Sequence, residues 1–392
     1  ERRKAMVRAV RQGESLRTVA RRFHVSLSTV HYWTERAEGK RLSRVDWQDR
    51  SQRPDRIQRT KRSIENLVIR IRTELKDRSI LGEYGAEAIQ RDLVARGKRE
   101  IPAIRTIGRI LERRGALDGR HRRRHPPPPA AWYLPEVAKR SGELDSFDVI
   151  EGLVIEGGIN VEVLNAISLH GGLIGSWPDR TIFARTTVQA MIEHWKVFGL
   201  PAYAQFDNDT RFQGAHQFRD TLGRVIRLCL SLGVTAVFAP PRETGFQAAV
   251  ESLNARWQAK IWQRFHFESL GALQSQSARY VAAYRQRARL RIESAPPRRL
   301  FPSTWKFDLQ ARPNGSVIYL RRTDAHGRVS LLGHSFVVDS SWPHRLVRAH
   351  VDLTADQIRF HALRRREPTW QPIVTIVPYQ FPKRRFRDDH QT

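Results

Sequence analysis

In the stretch YAQFDNDTRFQG, residues 203–214, two aspartates, Asp207 and Asp209, flank Asn208 directly after an apolar run. A surface turn explains that arrangement, and so does a metal site. Asp148 lies in a second apolar, strand-like run, and Glu251 falls on a long helical pattern. Carboxylate oxygens are hard donors, suited to Mg²⁺ or Mn²⁺ and not to zinc. Two such ions held about 4 Å apart by shared carboxylates activate a nucleophilic oxygen and stabilise the leaving oxygen of a phosphodiester. Taken singly, each residue has a plainer reading: an aspartate closing a strand forms turns or caps, and a glutamate on a helix is a solvated charge. The three together in one α/β region call for an explanation.

That region spans residues 141–300 and alternates strands with helices. LDSFDVIEGLVI, INVEVLNAISL and GGLIGSWP read as three successive antiparallel strands with Gly-Gly turns between them. TTVQAMIEHWKVFG is a helix closed by Gly199, AYAQF a strand, AHQFRDTLGRVIRLCLSLG a helix, VTAVFAP a strand, and FQAAVESLNARWQAKIWQRF a long helix. Asp148 thus sits within the first strand, Asp207 ends the strand AYAQF, and Glu251 rides the last helix. Asp145 competes with Asp148. Three residues apart in a regular strand, the two face opposite sides and cannot both reach one ion. Trp195, Trp257 and Trp262 fall in apolar helical patterns and read as core; His170, in SLHGGL, reads as a turn residue.

The flanks are basic. The chain has 392 residues, 40 % hydrophobic and 28 % charged, with a formal net charge of +29. Residues 1–140 carry 36 Lys and Arg against 17 Asp and Glu, residues 141–300 carry 18 against 15, and residues 301–392 carry 15 against 8. A nearly neutral centre between basic ends suits a protein that grips a polyanion with its flanks, and nucleic acid is the first candidate. No apolar run approaches the roughly 20 residues of a spanning helix, so a soluble, intracellular protein without membrane partners is expected. Cys229 is the only cysteine. It excludes an internal disulfide and a structural zinc site built on two thiolates, and it reads as a small buried hydrophobe.

Residues 1–45 have the pattern of a helix-turn-helix. Leu16, Val19, Ala20 and Phe23 recur at helical spacing, HVS interrupts, and a second helix begins at an N-cap, Ser26 or Ser28. That second helix, about Ser28 to Arg36, would enter the major groove and present Ser28, Thr29, His31, Tyr32 and Arg36. Residues 60–117 predict three more helices, a second helix-turn-helix or winged module, with Pro102 near the start of the third. Residues 118–140 contain RHRRRHPPPP. Four prolines favour an extended linker, and Arg122, Arg123 and Arg124 would touch phosphate. Residues 301–385 are β-rich with Gly, Asp and Pro breaks, and predict a small SH3-like β-barrel that binds DNA or a neighbouring subunit.

The middle region resembles the integrase core of the DDE transposase and retroviral integrase superfamily, bacterial insertion-sequence transposases above all. GELDSFDVIEG is similar to the first block of that family, FDNDTRF to the second and APPRETGFQAAVESLNARWQ to the third, over roughly residues 141–302. The resemblance implies a ribonuclease-H-like fold and makes Asp148, Asp207 and Glu251 catalytic ligands of Mg²⁺ or Mn²⁺. It also implies cleavage at the ends of a mobile element, joining of the freed 3′-hydroxyl to target DNA, and a dimer or larger assembly at a bacterial nucleoid. Terminal inverted repeats and target duplex would be the DNA partners; neither the repeat sequence nor any accessory ATPase is specified.

Two departures stand out. Asp209 occupies a position that is usually glycine, where it would shape the turn or support the site. The interval from Asp207 to Glu251 is 44 residues, longer than in the best-known integrases, which leaves Glu243 in the PPRETG loop as an alternative third ligand. Asn208 and Asn254 would position the site, contact DNA or act as caps. Arg256 and Lys260 would hold phosphates or be solvated helix charges.

Overall fold

In a computed structural model of the protein, residues 1–49, 59–117, 131–215, 218–243, 245–383 and 386 are described. The chain divides into two compact units, Glu1–Arg62 and Ser63–Thr392.

The first unit is a three-helix domain: α1 (Arg2–Arg11), α2 (Leu16–Arg22) and α3 (Leu27–Ala37). Ser15 and Ser26 cap α2 and α3, each accepting a hydrogen bond from the backbone N–H three residues on, which satisfies one of the orphan donors at a helix start. Met6, Val7, Val19, Val30 and Trp33 form the core. The expected helix, turn and second helix are present, with α3 in the expected place.

The second unit begins with α4 (Arg62–Arg78), α5 (Ala86–Ala95) and α6 (Ile104–Arg113), packed through Val68, Ile71, Ile89, Leu93, Ile107 and Ile110. A short helix α7 (Pro135–Ala138) precedes the strands. Then come β1 (Leu144–Ile155), β2 (Ile159–Ser168), β3 (Ile174–Asp179), α8 (Ala184–Phe198), β4 (Tyr203–Phe206), α9 (Thr210–Gln213), α10 (Arg224–Ser231), β5 (Thr235–Phe238) and α11 (Ala248–Trp257). A π-turn, Gln258–Trp262, continues α11. After it lie α12 (Leu270–Arg287), α13 (Arg289–Glu293), β6 (Ser316–Arg322), β7 (Arg328–Leu331), β8 (His334–Val337), β9 (Leu346–Asp352), β10 (Gln357–Ala362) and β11 (Ile373–Pro378).

The central order is β3-β2-β1-β4-β5, with β2 antiparallel to β1 and β3 and with β1, β4 and β5 mutually parallel. This is the ribonuclease-H-like arrangement. Helices α8 and α10 cover one face through Phe147, Trp195, Phe206, Leu228 and Phe238; α11 and α12 cover the other over β1–β3 through Ile150, Val163, Val250, Leu253 and Trp257. Gly157 and Gly158 make the first turn in the left-handed region, where glycine has no steric penalty.

Two expectations change here. The helix expected over AHQFRDTLGRVIRLCLSLG is realised only from Arg224, as α10. Gly214 and Gly223 approach so closely that a Cβ on either would meet backbone at 2.8 Å or less. That contact, with the N–H of Asp220 bonded to the carbonyl of Leu332, holds residues 218–223 out of helix; residues 216 and 217 lie outside the described residues.

The C-terminal strands do not pair as a free-standing SH3-like barrel. β6 pairs in parallel with β5 (Val237 with Ile318), and β9, β10 and β11 follow outward, so that one sheet of nine strands, β11-β10-β9-β6-β5-β4-β1-β2-β3, results. β7 and β8 form a separate hairpin. The strand content was as expected; the partner of the first strand was not.

Candidate active site

β1 and β4 run parallel, and their last paired residues are Ser146 and Gln205. Each aspartate lies two residues further along, so alternation returns Asp148 and Asp207 to that same face. Phe147 and Phe206, between them, stack on the opposite face at 5.5 Å. This face is also the one over which α11 packs, with Glu251 exposed in its first turn.

Burial pushes the Asp148 carboxyl up to about 6, and the charges of Asp207 and Glu251 push in the same direction. The carboxyl of Asp207 is raised too, by burial first and by Asp209 and Glu151 after it; the backbone N–H of Asp209, which donates to Asp207 Oδ1 at 3.0 Å, works the other way. Crowded carboxylates that repel one another and sit out of water are the electrostatic condition a cation would relieve.

Asp148 is also held in place. Asn254 Nδ2 donates to Asp148 Oδ2 at 2.7 Å, and Asn165 Nδ2 donates to Asn254 Oδ1 at 2.8 Å. Asn165 is fully buried and lies directly across from Asp148 on β2. Since Asn165 occupies the acceptor of the Asn254 amide, the Asn254 NH₂ group is the end that faces the carboxylate. Asn254 therefore fixes the orientation of the Asp148 carboxylate; Asn165 behind it was missed in the sequence, where it is one polar residue in an apolar strand.

Asp209 caps α9, accepting from the N–H of Arg211 at 2.8 Å, and its carboxylate also binds the Arg211 guanidinium. Arg211 reaches on to Glu151 and Glu162 and tempers both Asp148 and Asp207. Turn-shaping and support, the two readings of Asp209, thus coincide. Asn208 Nδ2 donates to the Ala239 carbonyl at 2.7 Å and its Oδ1 accepts from Arg321 at 2.8 Å, tying the ends of β4, β5 and β6 together.

Several expected residues go elsewhere. Asp145 is 1 % exposed on the opposite face of β1, paired with Arg298 and accepting from Trp195 Nε1 at 3.0 Å. Glu243 makes a two-point pair with Arg322 at 2.7 and 2.8 Å. Arg256 and Lys260 do not point at the carboxylates, which corrects the expectation that they hold phosphates there. Arg256 donates to Tyr284 Oη at 2.9 Å, and Lys260 donates to the Gly82 carbonyl at 3.0 Å. Five and nine residues after Glu251, at about 100° per residue, they fall on the far side of the helix and its π-turn. His170 sits in a turn, its N–H bonded to Glu143; Cys229, Trp195 and Trp257 are core.

On α3, Ser28, His31 and Tyr32 are exposed. Ser28 and Thr29 bond to the capping Ser26 through their hydroxyls. Arg36 is folded back onto Asp46, the Gln48 carbonyl and Tyr32, so it is not displayed as expected. Arg122, Arg123 and Arg124 lie outside the described residues.

Whether a divalent cation fits can be judged from the donors. Asp148, Asp207 and Glu251 supply only oxygens, and the Asp148 carboxyl is raised by burial first and by the charges of the other two after it, so donor type and field suit Mg²⁺ or Mn²⁺. Among the described residues, however, no three His, Cys, Asp or Glu side chains are drawn together as a ready cage.

A model of the Homeodomain-like domain matches residues 1–44. Among solved structures, the chain is similar to the simian T-cell lymphotropic virus intasome in complex with PP2A regulatory subunit B56 gamma, at 12 % identity over 76 % of this chain and 95 % of that one, TM-score 0.34. It is also similar to the HTLV-2 integrase catalytic core domain in complex with magnesium (12 % identity, 36 % and 86 % covered, TM-score 0.26). The BIV integrase catalytic core domain gives 16 % identity, 36 % and 81 % covered, TM-score 0.26. Likenesses this distant carry no argument about activity. No helix among the described residues is long and apolar enough to cross a membrane.

Proposed function

We propose that this protein is a DNA transposase of the DDE type, a polynucleotidyl transferase that cleaves at the ends of a mobile element and joins the freed 3′-hydroxyl to target DNA. The observation that carries this reading is the approach of Asp148 and Asp207 on one face of β1 and β4, within the electrostatic reach of Glu251. A Homeodomain-like domain at the head of a strongly basic chain supports DNA as the substrate.

In this reading Asp148, Asp207 and Glu251 hold Mg²⁺ or Mn²⁺, which supplies the positive charge that offsets charge developing on the phosphate during in-line displacement. Asn254 keeps Asp148 turned towards the site. Arg211, clasped by Asp209, Glu151 and Glu162, holds the loop after β4 in place. The α3 surface with Ser28, His31 and Tyr32 reads the terminal repeats, and α4–α6 adds a second DNA contact. Joining two ends requires more than one copy of the chain. A second reading, a DNA-binding regulator without catalysis, draws on the open arrangement of the three carboxylates.

The test is incubation with Mn²⁺ and a labelled duplex carrying the element's terminal repeat, comparing wild type with Asp207→Asn. Joined products that vanish in the variant support the transposase. Binding without cleavage by either protein, across several end sequences, supports the regulator.

A further inference from the structure

On the outer strands of the same sheet, β9 and β10 bring four basic side chains onto one face. His350 pairs with Arg359 and Arg348 with His361 across the ladder. Arg348 is only 8 % exposed. Among the described residues its guanidinium makes no hydrogen bond, and the Nε atoms of Arg348 and Arg359 and the Nε2 of His350 are all buried without a partner. Only Arg359 has a close carboxylate, Asp352 at 2.7 Å. Glu136 stands near enough to act on Arg348 electrostatically but is bonded to Tyr203 Oη at 3.2 Å. A largely buried arginine whose Nε has no acceptor is costly, and buried polar groups of this kind are commonly completed by a partner.

The surroundings fit an anion. Burial and the two arginines hold the imidazoles of His350 and His361 below their ordinary values, His350 at about 4, so both are neutral donors or acceptors at pH 7, and with Asp352 paired to Arg359 the charge open to a ligand is that of Arg348. The place on the sheet is informative too. Phe206, Phe238, Tyr319 and Ala349 are successive partners across β4, β5, β6 and β9. One residue on, Asp207 and Arg348 therefore lie in one lateral row and on one face, three strand spacings apart, or roughly 14 Å. That is about four base-pair steps along a duplex. Trp132 and Tyr133 pack on Ile318 and Leu320 between the two, and Gln371 bridges the Trp132 carbonyl to the loop beside His361.

We infer that Arg348, with His350, Arg359 and His361, is a binding site for a phosphodiester of the DNA strand that flanks the reacting phosphate. This deepens the proposed function and rests on it for the identity of the anion. The two arginines supply fixed planar donors of the kind that recognise phosphate; the histidines line the pocket without adding charge.

The experiment uses the full chain and Arg348→Met, which keeps volume and removes the charge, with His350→Gln as a second variant. Because the arginine is unpartnered without DNA, Arg348→Met is expected to melt at the same or a higher temperature than wild type. Its affinity for a duplex should fall about tenfold, the range of one charge-assisted bond. The slope of log K against log salt should shrink by about 0.9, one phosphate contact. Unchanged affinity and slope in the folded variant overturn the site, as does a large loss of melting temperature, which would make Arg348 structural. Inorganic phosphate separates this inference from the one beneath it. If wild type binds no DNA, the transposase reading fails, and the anion site still stands only if phosphate raises the wild-type melting temperature and not that of Arg348→Met. Selective loss of polyaspartate binding, with DNA binding intact, would reassign the site to an acidic protein segment and overturn it as stated.

Discussion

β1 carries two aspartates three residues apart, and its two faces treat them oppositely. On one face Asp145 is buried against Arg298 and the Trp195 indole, with every carboxylate oxygen engaged. On the other, Asp148 is just as much a strand residue, yet Asp207, Glu251 and, more weakly, Arg211 act on it, and the side chain that bonds it is the neutral amide of Asn254. A carboxylate that serves stability is given a cation. Asp148, proposed here to serve chemistry, has no bonded cation and is oriented by an amide instead.

The largest effect that distinguishes the faces is on catalysis. Asp148→Asn and Asp207→Asn should each lower strand transfer by about a thousandfold or more, as loss of a principal charge-stabilising group does, with circular dichroism unchanged. Asp145→Ala should instead lower stability by about 3–5 kcal/mol, the cost of leaving Arg298 buried and unpaired; urea unfolding measures it. Smaller again, Asn254→Ala should weaken Mn²⁺ dependence or rate by about 10–100-fold, typical when a ligand loses the partner that orients it. A pH titration gives the mildest test. The Asp148 pKa is higher folded than unfolded, so the native state binds more protons between about pH 4 and 6, and stability of the metal-free protein falls as pH rises through that window. Asp148→Asn should reduce this fall, leaving the smaller part that the raised Asp207 carboxyl contributes, and at pH 7 stabilise the protein by about 1–2 kcal/mol. A rise in stability over the same window would mean Asp148 has a cationic partner after all.

The contrast between Asp145 and Asp148 was legible in sequence, because a period of two leaves no choice about faces. So were the central strands and α8, whose apolar patterns are strong and whose ends carry glycine. What escaped was non-local. A β-rich segment alternates in the same way whether it closes on itself or extends another sheet, so the pairing of β6 with β5 could not be read from residues 316–322 alone. Arg211, Asn165 and Arg321 matter through partners 49, 89 and 113 residues away. Helix α12, LGALQSQSARYVAAYRQR, was not expected, although Leu270, Leu273, Tyr280, Val281 and Tyr284 recur at helical spacing on its buried side. Lys260 and Arg256 were expected at the site from their nearness in sequence to Glu251, but the helical turn and the π-turn after it carry them to Gly82 and Tyr284.

The proposed function puts Asp148, and not Asp145, at the reacting centre. The direct measurement is strand transfer with Mn²⁺ on one labelled end duplex by Asp148→Asn and Asp145→Asn side by side, below the melting temperature of both. Loss of joined product in Asp148→Asn with retention in Asp145→Asn is the predicted result; retention in Asp148→Asn would contradict the account.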